Sequence, residues 1–125
     1  MKQMPISQYF ETVLKAPLNS VRNSWGAVTE SGDVYLRVWK HDYFKDSNGI
    51  LCVYIMREGH EQNERLRHIE MIGKGAKCFL LMCTENKKGM STRIKQYARS
   101  CHIGGQLHVC ADGIYIEIVG YRDNG

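Results

Sequence analysis

Three residues spaced two apart, Tyr35, Arg37 and Trp39, carry the strongest chemical signal in the chain. A β-strand has a side-chain period of two. A strand over 34–39 therefore sends Val34, Leu36 and Val38 to one face, and two rings flanking a guanidinium to the other. If the aliphatics face a core, Tyr35, Arg37 and Trp39 are left on a second surface. Rings beside a cation suit base stacking and phosphate contact, and stacking contributes about 1–3 kcal/mol per base. A covering helix would instead bury the rings and leave Arg37 snorkelling outward. Trp25 joins this face in one hairpin register only. A three-residue loop pairing Glu30 with Val34 sets Trp25 opposite Trp39, whereas a four-residue loop pairing Thr29 with Val34 puts it with the aliphatics.

A second feature is basic. Lys87, Lys88, Arg93, Lys95 and Arg99 follow Glu85, the only acid near them, with Gly89 in between. Such a segment can track a phosphate backbone through counterion release, or it can be a plain solvated run. Together the two features divide the labour of nucleic-acid recognition, since phosphate contacts position a ligand and base contacts specify it.

Other polar groups carry weaker expectations. In a helix over 61–73, Arg65 projects about 40° from Ile69, beside a carboxylate or into a cleft. His60, Glu64 and His68 fall on the far side at i, i+4 and i+8, where a metal would need another ligand; they read as an exposed stripe. His108 and Glu117 pair across the last hairpin beside Cys110 and Tyr115. They would be an acid–base couple if they lined a pocket and are otherwise a solvent-face pair. His41–Asp42 and Cys101–His102 are weaker still. Gly73-Lys74-Gly75 lacks the Ser/Thr and strand-to-helix context of a phosphate loop. No catalytic residue, metal or cofactor is expected from these spacings.

The elements that must hold these groups follow from periodicity. Ile6, Phe10, Val13 and Leu14 between Pro5 and Pro17 predict a short helix, followed by the hairpin over 25–39. Asp46-Ser47-Asn48-Gly49 is a turn, and 50–56 and 78–83 are apolar runs suited to buried strands. Leu66, Ile69, Ile72 and Ala76 mark the apolar side of the intervening helix. Ile94, Tyr97, Ala98 and Cys101 would line another short helix, and Gly104 and Gly105 break the chain. A last hairpin sets Leu107, Val109 and Ala111 against Ile118, Ile116 and Ile114 around Asp112-Gly113. This order predicts an α+β fold with a strongly curved, mostly antiparallel sheet and two or three short helices. A small PUA-like or SRA-like barrel would fit it, as an analogy of fold that carries no function.

At 125 residues with 43% apolar and 24% charged composition, the chain reads as one globular domain over 1–125. Its net charge of +4 favours an anionic partner. Five cysteines without a Cys-x-x-Cys pair, and no secretory apolar region, predict free thiols in a reducing cytoplasm. No apolar stretch approaches the ~20 residues of a membrane span. The leading expectation is a non-enzymatic DNA- or RNA-binding module using Trp25, Tyr35, Arg37, Trp39, Lys87, Lys88, Arg93 and Lys95, including the reading of an extruded or modified base. The alternatives are a protein-interaction or inhibitor domain of a phage or bacterial defence or counter-defence system, and a small hydrolase or nuclease using His108 and Glu117. An unpaired hairpin edge would also allow a homodimer.

Overall fold

The computed structural model describes Leu14 and residues 26–59, 63–85, 94–97 and 100–123, with 84, 85, 94–97 and 123 described in backbone alone. The chain runs β1 (Gly26–Val28), β2 (Val34–Trp39), a 3-10 turn (Lys40–Asp42), β3 (Tyr43–Lys45), β4 (Leu51–Arg57), α1 (Asn63–Gly73), β5 (Cys78–Glu85), β6 (Ile94–Tyr97), β7 (Ser100–Cys110) and β8 (Gly113–Asp123). These strands form one mixed sheet in the order β1-β2-β5-β7-β8-β4-β3, with β6 also paired to β5. β2 and β5 run parallel and every other pairing is antiparallel.

The parallel pair explains the composition of its strands. A strand buried on both faces reads as a continuous apolar run, and all of Val34–Val38 and Cys78–Leu81 are buried. On one face Val34, Leu36 and Val38 meet Leu80, Val53, Ile55, Ile116 and Ile72 of α1. β2 and β4 share this cluster although β5, β7 and β8 lie between them in the sheet, so the sheet curls around it. On the opposite face Ala27, Tyr35, Phe79, Leu81, Cys83 and Cys101 pack with Leu14, the described residue of the N-terminal segment. The rest of the helix expected over 6–14 lies outside the described residues.

The sheet does not close into a barrel. Among the described residues β1 pairs with β2 as far as Leu36, and β3 with β4 as far as Val53; beyond those points β2 and β4 border a seam. The PUA-like or SRA-like analogy is corrected accordingly: the fold is a sheet-dominated α+β arrangement with an open sheet and one helix among the described residues.

Four local expectations change. Ile94–Tyr97 is a strand against β5, not a helix, because pairing with the edge of β5 left beyond β7 among the described residues outweighs an apolar spacing only eight residues long. Gly104 and Gly105 lie inside β7 at a register shift rather than in a turn. A Cβ on Gly104 would stand 2.7 Å from Ile116 Cδ1 and 3.2 Å from Cys78 Cβ, so only glycine lets β7 pass this close to the core. The last hairpin is shifted two residues from the aliphatic alignment, pairing Cys110 with Gly113 and Leu107 with Ile116, so its two-residue turn is Ala111-Asp112 rather than Asp112-Gly113. The first hairpin uses a five-residue loop, pairing Val28 with Val34. There Thr29 Oγ1 accepts from the Asp33 N–H at 3.0 Å, and Gly32 takes a φ of 89°.

Among the described residues no helix is long and apolar enough to cross a membrane.

Candidate functional site

The helix α1 sets its polar residues into the seam. Its buried stripe is Arg65, His68 and Ile72, with Ile69 half-buried and Leu66 exposed, so the helix is rotated from the face expected of Leu66, Ile69 and Ile72. His68 is consequently buried against Gly26 rather than exposed on the far stripe. The reason is Arg65. It is only 7% exposed, and its fork bridges the two open strand edges: Nη1 donates to Ile55 O at 2.8 Å and Nη2 to Arg37 O at 3.0 Å. Among the described residues those carbonyls lie beyond the pairings of β1 with β2 and of β3 with β4, and a buried carbonyl without a donor is costly. A planar guanidinium serves both at once. Burial draws its pKa down to about 10, which leaves it ionised at neutral pH.

Over this strut lies a cavity of about 470 Å³. Trp39 and Tyr54 contribute its aromatic surface, Arg37 and Arg65 its inner cations, and His41, Asp42 and Arg57 its polar margin. The 3-10 turn that follows β2 brings His41 back against Trp39, their rings 5.9 Å apart and 9° from parallel. Arg57, the last residue of β4, lies over the Tyr54 ring at 4.2 Å and donates Nε and Nη2 to Asp42 Oδ1 at 3.0 and 2.9 Å. Three guanidinium groups thus line the cavity with one carboxylate. Burial lowers the Arg37 pKa, while the neighbouring Cys83 sulfur acts in the opposite direction. Burial in turn pushes the Cys83 thiol up to about 11, so it stays neutral.

This arrangement alters the aromatic–arginine platform expected on β2. Tyr35 is 3% exposed, its ring stacked on Phe79 at 5.0 Å and its hydroxyl accepting from Arg122 Nη2. It is a core residue and offers no surface to a base, because β2 is flanked by β1 and β5 and covered on both faces. Arg37 is likewise buried, beside the Cys83 sulfur, and borders the cavity. Trp39 lies beyond the described part of β1, is half-buried against the Tyr35–Cys101 core and the His41 ring, and lines part of the cavity. Trp25, Lys87, Lys88 and Arg93 fall outside the described residues. Lys95 lies on β6, its side chain outside the described part.

His108 and Glu117 do meet, Nε2 to Oε2 at 2.5 Å, although the strand register sets His108 opposite Tyr115. The imidazole stacks on Tyr115 at 4.8 Å and 12°. This pair stands apart from the residues lining the cavity. Among the described residues no group of three or more His, Cys, Asp or Glu side chains converges as metal ligands would.

Sequence reasoning missed Tyr54, because 50–56 reads as one apolar run, and it missed Arg57; it weighed Asp42 only beside His41, whereas the carboxylate meets Arg57 across fifteen residues of chain. A signal for Tyr54 existed: Cys52 and Tyr54 alternate with Val53 and Ile55. Comparison with known proteins finds no matching family model, no similar characterised protein and no similar solved structure.

Proposed function

We propose that this protein is a nucleic-acid-binding module that holds one base in the seam cavity between β2 and β4. The observation carrying this reading is the composition of that cavity. Two aromatic side chains supply faces for a planar ring, and three guanidiniums supply positive charge within about 470 Å³, a volume in the range of small-ligand sites. An extruded base stacks on aromatic side chains while its phosphate meets arginine at the margin. Trp39 takes the stacking role, Arg57 the phosphate, and Arg37 and Arg65 keep the interior electropositive. Lys87, Lys88, Arg93 and Lys95, whose side chains lie outside the described part, are the sequence's candidates for further phosphate contacts. The net charge of +4 supports an anionic ligand.

The test is binding of short fluorescent oligonucleotides across a salt series. Affinity should fall at least about tenfold between roughly 50 and 200 mM salt, as expected for a few phosphate contacts. Trp39→Ala should cost about 1–3 kcal/mol of binding. No binding, salt-independent binding, or an unaffected Trp39→Ala variant overturns the proposal.

A protein partner is the second reading, and one observation favours it. Val119 and Tyr121, two apart on β8, are 65% and 71% exposed, apolar surface of the kind found at interfaces. A Val119→Lys, Tyr121→Ser double variant that keeps its oligonucleotide affinity but loses a pulled-down partner would support this alternative.

A further inference from the structure

Tyr54 belongs to two arrays at once. It borders the seam cavity, and it also sits in a row of rings crossing the outer face of β3, β4, β8 and β7. Phe44 lies 5.0 Å from Tyr54 and 5.1 Å from Tyr115; Tyr54 and Tyr115 are 5.6 Å apart; Tyr115 stacks on His108. Strand register dictates the row, since Tyr54 pairs with Tyr115 and Tyr115 with His108. All four rings are half-buried, and none belongs to either apolar core. The fold therefore keeps four aromatic side chains on an open sheet face where they fill no interior. At the end of the row, Arg57 lies over Tyr54 and borders the cavity.

We infer that the row and the cavity are one continuous site, and that its ligand is a single strand of nucleic acid. This rests on the reading that the cavity takes a base. One nucleotide occupies the seam, the phosphate next to it passes Arg57, and the following bases lie against Tyr115 and His108. Rings on a sheet face require bases whose own faces are bare, a condition met in single strands and not inside a duplex. The bare ring faces carry this assignment, since charge along the row is mixed: Glu117, bonded to His108, and Asp46 act on Tyr115, Asp112 acts on Tyr54, and Arg57 at the junction is bonded to Asp42.

The experiment compares thymidine monophosphate, a thymidine pentanucleotide and a duplex of the same length, on the full chain and on three variants. The pentanucleotide should bind at least about tenfold tighter than the mononucleotide and than the duplex. Tyr115→Ala should weaken the pentanucleotide about five- to a hundredfold and leave the mononucleotide unchanged. Tyr115→Phe should restore the parental value, which a loss of folding would not permit, and Trp39→Ala should weaken both ligands. If the mononucleotide binds but length adds nothing, or Tyr115→Ala is silent, the extension fails and the cavity reading survives. Equal duplex affinity overturns the single-strand assignment. Absence of binding by any of the three probes overturns both.

Discussion

Replacing Arg65 tests the mechanical basis of the site. In Arg65→Leu the carbonyls of Ile55 and Arg37 lose donors at 2.8 and 3.0 Å. Hydrogen bonds from a charged donor contribute about 1.5–3 kcal/mol each, or about 3–6 kcal/mol for the pair. Leucine recovers part of this, because a buried guanidinium carries a desolvation cost of several kcal/mol that the variant no longer bears. The net expectation is a loss of about 2–4 kcal/mol. In urea unfolding, with a slope of about 2 kcal/mol/M, the midpoint should drop by about 1–2 M at an unchanged slope. Arg65→Lys keeps the charge but has no fork, so one carbonyl is left and the loss is about half as large. A leucine variant with the parental midpoint or a higher one would refute the idea that this side chain ties the two strand edges together.

Four further outcomes are expected. Gly113→Ala should lose roughly 3 kcal/mol in urea unfolding, because its φ of 140° disfavours a side chain and a Cβ would stand 2.1 Å from Met56 O; a loss under about 1 kcal/mol would contradict the β4–β8 contact. Burial holds the His68 and His102 imidazoles below their ordinary range, with Glu64 opposing and Arg65 and Arg67 reinforcing the effect at His68. The unfolded chain then takes up protons first as pH falls, so stability is full above about pH 6.5 and declines below it; His68→Gln should flatten that decline, and a urea midpoint constant from about pH 7.5 to 5 would contradict it. Cys110 is exposed and the other four cysteines are buried, so Ellman's reagent should titrate one fast thiol in the native protein and five after denaturation. Arg57→Ala should lose about 1–2 kcal/mol of stability, since Asp42, only 13% exposed, gives up two bonds from a charged donor, and it should lower the salt slope of oligonucleotide binding by about one.

Much of the architecture is legible in local pattern. The strands over 34–39, 51–57 and 78–85 and the last hairpin follow from β-rich apolar runs bounded by turn residues, and the helix from its 3.6-residue period. What local pattern does not specify is which strands become neighbours. The alternation in β2 correctly separates Tyr35, Arg37 and Trp39 from Val34, Leu36 and Val38, yet only the parallel pairing with β5 buries both sets. Arg65 shows the same limit from the other side. Its angle on the helix reveals a guanidinium near the apolar stripe, but its partners are backbone carbonyls, which every residue possesses and no sequence distinguishes. The register of β7 on β8 departs from aliphatic matching by two residues: the turn falls on Ala111-Asp112, with Gly113 at a φ of 140° against Met56, and the pairing shifts again at Gly104.

The seam has walls that no backbone hydrogen bond joins directly. They are connected the long way round, from β2 through β5, β7 and β8 to β4. Such a ribbon works like a calliper: a slight change of coiling anywhere along it moves the jaws, and Arg65 is the pin that sets their gap. The irregular stretch from Ile103 to Leu107 sits midway along that path, opposite the jaws. Under the proposed base-binding role, the residues that tune the width of the seam therefore include ones that line no part of it.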